Sequence, residues 1–413
     1  MKTAQRRSLF SLYLAYFADY FSWGAAIAFL AIYIGTDKSP FTTLYWWDPI
    51  SALSIAVSCF PLGEVIGSPI LGDLSDCIGR RKVLNWGLFG SVISLGLCAA
   101  ALWNGWFLAF LAGQFLAGFF AGKQGMAQAA IAEIDTGTKA QKLAFLSVLG
   151  GIAWITGPYF GSVLLENPFT ETGGFVWPSL LACVITGISL ICTYFFFEDT
   201  YCPKPGNFLA SNFIKGTGEL FLLAFRERLF ALFFLNLLGW YLVTVSTSYF
   251  LIQKFNITHS EAAVFDSYLA ICFTMGGIIG TTWVLHRFRA RKILFWMQIA
   301  GSLALFSLFG AEKVEEFWIY FAIPALTEAL IYPAYQTVLS DHTSDQNQGK
   351  MFGLINATNG ICQVLSGWIL TVLPPDFVGS SILLSAILFL GSGSAFIPFA
   401  MKKKRLKLKT QSQ

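Results

Sequence analysis

Charged residues are scarce. Asp, Glu, Lys and Arg make up 12% of the 413 residues, about half the ~25% usual in soluble chains. That shortage excludes an ordinary water-soluble domain, whose surface needs polar cover. Histidine numbers only three, with no two at ligand spacing. The eight cysteines stand singly, and none forms a Cys-x-x-Cys pair. A zinc site and a disulfide framework are therefore not expected. The sequence has no Gly-x-x-x-x-Gly-Lys-Ser/Thr loop, so it carries no engine for ATP-driven work. It also has no His-Glu-x-x-His or Gly-x-Ser-x-Gly stretch to support hydrolysis. The expectation is a protein without cofactor or metal that is not an enzyme.

What is present is apolar. Hydrophobic residues reach 55%, with 41 Phe, 14 Tyr and 13 Trp. A bilayer is crossed by about 20 mostly apolar helical residues. Such runs recur at 9–34, 51–71, 83–103, 106–131, 142–165, 175–197, 229–252, 264–285, 292–310, 316–339, 350–372 and 378–400. The basic, apolar N-terminus is not followed by a small-residue cleavage site, so it reads as a first span rather than a signal peptide. The expected fold is all-α and integral to the membrane, with twelve transmembrane helices in two pseudo-symmetric six-helix bundles.

Orientation follows from Lys and Arg. With both termini in the cytoplasm, inside segments carry Arg6, Arg7, Arg80 to Lys82, Arg287, Arg289, Arg291 and the KKKRLKLK tail. Outside segments carry Lys38, Lys254 and Lys313. A basic tail beside a span reads as an anchor at the anionic leaflet, and no nucleic-acid partner is expected. The longest polar break divides the chain into a first bundle at 1–198, a linker at 199–228, a second bundle at 229–401 and a tail at 402–413. Part of that linker could lie on the membrane surface as an amphipathic helix. The Trp46–Trp47 pair fits an interfacial belt.

The two halves echo each other. RKVLNW at 81–86 is matched by RKILFW at 291–296, each opening the third span of its half. At the same offset, Gly150 and Gly157 match Gly360 and Gly367. Duplicated halves are the architecture of many secondary transporters, which bind substrate near the midplane between the repeats.

One motif stands between the second and third spans, GDLSDCIGRRKVL from Gly72 to Leu84. Gly72 permits close helix packing, and Gly79 permits a reversal. Asp76 faces the basic cluster of Arg80, Arg81 and Lys82. A charge lock and a plain anchored turn are equally compatible with this spacing. In the fifth span Gly150, Trp154, Gly157 and Gly161 share one helical face, and Pro158 kinks the helix. A gate and tight packing are both compatible with that pattern.

Ionisable residues inside spans cost roughly 2.5–3.5 kcal/mol each, so they mark function. Asp19, Glu64, Lys123 and Glu328 are the four. Burial penalises an ionised carboxyl and so prepares it to exchange a proton, which makes Asp19, Glu64 and Lys123 candidates for proton coupling. A buried ion pair tying helices together is the alternative. On a continuous helix Gln114 and Lys123 lie half a turn apart, so they are not expected to face one cavity. Gln114 shares its face with Gln128, and Lys123 either snorkels to the surface or pairs with an acid. Glu328, followed by Tyr332 and Tyr335, suits a cationic or polar organic substrate. Two polar stripes complete the candidate cavity: Asn236, Trp240, Thr244 and Ser248 at i+4 spacing, and Asn356, Asn359 and Gln363. Interhelical hydrogen bonding is their plain alternative.

The 72–84 motif resembles the G-x-L-S-D-x-x-G-R-R-x-x-L signature of the major facilitator superfamily. The span count and duplication agree with it. Within that superfamily, the chain is similar to the twelve-span drug/proton antiporters of the tetracycline-efflux type. The stretches ADYFSWG at 18–24, QFLAGFFAGKQGMAQAAIAE at 114–133 and GPYFG at 157–161 carry that likeness. It departs at Gln114, where the family has Arg, and at Ser162, where it has Gly. The resemblance implies the major facilitator fold, alternating access, and proton-coupled efflux of drugs or amphipathic metabolites. Nutrient uptake is the alternative, and a non-transporting receptor or scaffold is a third reading. A membrane enzyme acting on lipids would need clustered His, Asp or Ser at one face, and the sequence has none. A small-molecule substrate, protons and the lipid bilayer are the expected partners of a monomer in a bacterial inner membrane.

Overall fold

Backbone groups inside a bilayer have no water to bond, so each apolar run satisfies itself as a helix. The computed structural model describes residues 2–34, 49–134, 138–165, 176–199, 228–255, 259–343, 348–372 and 378–397. Every regular element among these residues is helical. The first half comprises α1 (Lys2–Ile34), α2 (Pro49–Ile78), α3 (Arg80–Asn104), α4 (Phe107–Ala121), α5 (Lys123–Glu133), α6 (Lys139–Leu165) and α7 (Val176–Phe196). The second comprises α8 (Arg228–Phe255), α9 (His259–Ile279), α10 (Ala290–Phe309), α11 (Val314–Asp341), α12 (Gln348–Val372) and α13 (Val378–Ser394).

These helices form the twelve expected spans, with two differences. The fourth span is two helices, because Gly122 interrupts it between α4 and α5. The eighth loosens into a π-helical turn at Gly280–Val284 before it ends. Among the described residues, five helices are each long and apolar enough to cross a membrane. The amphipathic stretch expected in 199–228, the tail and the Trp46–Trp47 pair lie outside the described residues, apart from Asp199 and Arg228. The sequence echo has a structural counterpart, since RKVLNW lies in the first turns of α3 and RKILFW in those of α10.

Glycine sets the tightest contacts. A methyl group on Gly118 would stand 1.9 Å from the Phe60 carbonyl oxygen, so α4 lies directly on the α2 backbone there. Between the halves, α12 runs against α2 and α5, and α6 runs against α9 and α11. The α12 contact is again backbone on backbone. A methyl on Gly353 would meet the Ser68 carbonyl oxygen at 2.5 Å, and one on Gly125 would meet the Gly353 nitrogen at 2.8 Å. Large apolar side chains such as Trp103, Leu108 and Phe195 point outward. That is the inverse of a soluble fold and suits a hydrocarbon surround.

Candidate functional site

Asp19, in the middle of α1, is buried and meets Lys123 at the start of α5. Lys123 Nζ donates to Asp19 Oδ1 at 2.6 Å, to Ser91 Oγ of α3 at 2.7 Å and to the Phe120 carbonyl at 3.3 Å. The lysine stem is threaded past Gly87, where any side chain would collide with it. Of the alternatives left open by the sequence, Lys123 therefore pairs with an acid and does not snorkel. Asp19 Oδ2 has no hydrogen-bond partner among the described residues.

Gln114 also converges on Asp19. Both line a cavity of about 20 Å³, together with Ser22, Trp23 and Ser91, which is room for one water. Gln114 and Lys123 lie on separate helices on either side of Gly122, and Lys123 does not line the cavity that Gln114 lines. The long lysine stem brings its charge back towards α1. Gln114 carries no charge, so Lys123 is the cation at this acid.

A second group of residues lies where the halves face each other. Glu64 of α2 is buried and within electrostatic reach of Asp19 and Lys123 on its own side. Across the interface it lies within electrostatic range of Tyr241 of α8 and Tyr332 of α11. The rings of Tyr16 and Tyr20 of α1 lie 4.8 Å apart, tilted to each other, and complete this ring of phenols. Tyr241 donates to Asn359 Oδ1 of α12 at 2.9 Å. Among the buried polar atoms with no hydrogen-bond partner among the described residues are both amide atoms of Gln128, the Tyr332 hydroxyl, Gln336 Nε2 and Asn356 Nδ2. Buried polar atoms are normally satisfied, so a group of orphans contributed by both halves is what a site awaiting a polar ligand presents.

Other candidates fall elsewhere. Trp240 packs on Phe273 at 6.1 Å, and Thr244 bonds back to the Tyr241 carbonyl. Gln363 is half-buried on α12. Glu328 and Tyr335 are buried inside the second bundle. Asn236 Nδ2 donates to both oxygens of Glu328 at 3.0 Å, and Gln298 Nε2 donates to Asn236 Oδ1 at 3.0 Å and to the Tyr335 hydroxyl at 2.9 Å.

The 72–84 motif closes one end of the molecule. Gly79, at φ 101°, turns the chain from α2 into α3. Arg80 is fully buried, 3.1 Å from Asp76 and 2.6 Å from Glu133 of α5. Asp76 also accepts the Gly349 N–H at 3.2 Å, at the first turn of α12. That links the two halves through a helix N-terminus, where a carboxylate is favoured. Gly72 abuts the Gly349 carbonyl so closely that a methyl would stand 2.6 Å from it. Arg81 instead donates to the Tyr194 carbonyl within the first half. Gly157 of α6 lies against the α1 backbone at Phe21 and Ala25. The surroundings of Pro158 and Gly161 lie outside what is described.

Sequence reasoning did not find Tyr16, Tyr20, Tyr241 or Glu133. Tyr16 and Tyr20 flank Asp19 on its own helix, and that proximity was the available signal. For Tyr241 and Glu133 the partner lies on a distant helix.

The family model described as Major Facilitator Superfamily matches residues 12–367 and, in a second match, 229–409. The tetracycline resistance protein of class G from Vibrio anguillarum is 23% identical over 334 residues, covering 75% of this chain and 77% of that protein. The class B protein from Escherichia coli is 25% identical over 349 residues, covering 77% and 79%. Among solved structures, the human organic anion transporter MFSD10 (TETRAN) superposes with a TM-score of 0.78 at 16% identity, covering 95% of this chain and 99% of that one.

Proposed function

We propose, from the premise that this chain belongs to the Major Facilitator Superfamily, that it is a proton-coupled exporter of drugs or amphipathic metabolites. The observation that carries this reading is the Asp19–Lys123 pair standing beside a ring of phenols and unpartnered amides drawn from both halves. The likeness to tetracycline resistance proteins over three quarters of the chain supports export as the direction.

The mechanism follows from differential binding. A proton arriving at Asp19 neutralises it and releases Lys123, which keeps Ser91 and the Phe120 carbonyl as partners. Glu64 senses the change through space, because it faces both the pair and the phenols. Substrate engages the orphaned amides of Gln128 and Asn356 and the Tyr332 hydroxyl, with the tyrosine rings covering its apolar part. The Asp76–Gly349 bond holds the basic end closed, and we take this end as cytoplasmic. Breaking it lets the halves rock. Gln114, standing where the antiporters resembled have Arg, favours a second reading, proton-coupled uptake of a nutrient.

The test is transport in liposomes under an imposed pH gradient, with tetracycline as the first probe of a compound panel. Wild type should accumulate probe against a proton gradient of opposite sense, and Asp19→Asn should lose that response. Accumulation in the same sense as the gradient favours uptake. A gradient response undiminished in Asp19→Asn removes Asp19 from coupling.

A further inference from the structure

The two halves repeat a buried arrangement with one difference. In the first, Asp19 of α1, Ser91 of α3 and Lys123 of α5 meet in the triangle those helices enclose. In the second, Asn236 of α8, Gln298 of α10 and Glu328 of α11 meet in the corresponding triangle. All three are at most 1% exposed. The first triangle holds an acid and a base. The second holds an acid and two neutral amides.

Among the described residues, the groups facing Glu328 are few. Its own helix offers the phenols Tyr332 and Tyr335. From α8 and α10 come Asn236 and Gln298, and no charged side chain of α6, α9 or α12 makes an ion pair or electrostatic contact with it. A carboxylate sealed in hydrocarbon with no cation is costly, and such groups take up a proton instead. The hydrogen-bond chain accommodates that. The orientation of Asn and Gln side-chain amides follows from their partners. With Glu328 ionised, Asn236 Nδ2 donates to it, Gln298 Nε2 donates to Asn236, and Tyr335 accepts from Gln298. With Glu328 protonated, its O–H donates to Asn236 Oδ1, and both amides turn over. Asn236 then donates to Gln298 Oε1, an atom that otherwise has no partner. The Tyr335 hydroxyl turns to donate to the same oxygen. One added proton reverses the direction of the whole chain: the bond from Asn236 Nδ2 to the second carboxyl oxygen is given up, and Gln298 Oε1 gains two donors.

We infer that Glu328 is a second proton-holding carboxyl, filled when the second bundle is packed as described, with Asn236, Gln298 and Tyr335 as its reversible relay. This deepens the proton-coupled reading above, although its test needs no substrate. The experiment is infrared spectroscopy of the purified full-length protein across pH, comparing wild type with Glu328→Gln and Asp19→Asn. The wild-type minus Glu328→Gln spectrum should contain the C=O band of one protonated carboxylic acid at neutral pH, and that band should persist in Asp19→Asn. Asn236→Leu, which keeps the acid and cuts the relay, should shift the band to higher frequency. A neutral-pH difference spectrum showing only carboxylate bands, with Asn236→Leu leaving the acid region unchanged, overturns the assignment. Loss of gradient-driven transport in Asp19→Asn bears on the coupling reading alone, so the two can fail separately.

Discussion

Lys123 Nζ lies 2.6 Å from Asp19 Oδ1 across the interior of the first bundle, and both side chains are sealed from solvent. Breaking such a pair from one side leaves a buried charge unmatched, at about 3–5 kcal/mol. Lys123→Met and Asp19→Asn should each lower the unfolding temperature in detergent. The double variant should recover most of the loss, because nothing charged is then stranded. Additive losses in a thermal-stability cycle would show that the two do not interact.

Gln128 predicts a trade between stability and function. Its buried amide has no partner among the described residues, and an unsatisfied buried polar group costs about 1–3 kcal/mol. Gln128→Leu should therefore leave the protein as stable as wild type or more so, yet weaken probe binding by tenfold or more. Tyr332→Phe should behave in the same way. Unchanged affinity in both variants places the substrate elsewhere.

The bond from the Gly349 N–H to Asp76 predicts a conformational effect. Hydrogen bonds to charged groups contribute about 1.5–3 kcal/mol. Asp76→Ala should shift the balance between closed and open basic ends by about 10- to 100-fold, at roughly 1.4 kcal/mol per factor of ten. Spin labels at the ends of α2 and α12 read this as a longer distance distribution. A distribution matching wild type would mean the bond holds nothing shut.

Glycines separate packing from propensity. Gly118→Ala places a methyl 1.9 Å from a backbone oxygen and should abolish folded protein or cost about 3 kcal/mol. Gly187, on α7, has open space where its methyl would go. Gly187→Ala should be neutral or stabilising by up to ~1 kcal/mol through helix propensity. The two variants, compared by size-exclusion of solubilised protein, should differ sharply.

Much of the fold was legible because a bilayer imposes a length and polarity rule that the eye can follow along the chain. The spans, the duplication and the 72–84 turn all declare themselves locally. The site was legible only on one side. Asp19, Glu64 and Glu328 stand out because charge is rare in apolar runs. What each meets could not be read, since the partner of Asp19 lies on α5 and, through Lys123, on α3, and those of Glu328 lie on α8 and, through Asn236, on α10. Treating 106–131 as one continuous helix set Gln114 and Lys123 on opposite faces, and only the structure shows the long Lys123 stem reaching back to Asp19. Tyr241 was passed over because it lies 100° round the helix from Trp240 and 60° from Thr244, off the polar stripe. Only the neighbouring α12 reveals that this second face is also turned inward.

The glycines of α12 have a mechanical consequence. Where Gly349 and Gly353 lie against Gly72 and Ser68, the contact is made by bare main chain. Interlocked side chains would have to be disengaged and re-sorted one by one before the surfaces could part. Smooth main chain has no teeth, so the rocking proposed above would part the halves along this stretch and reseat them in the same register with little friction.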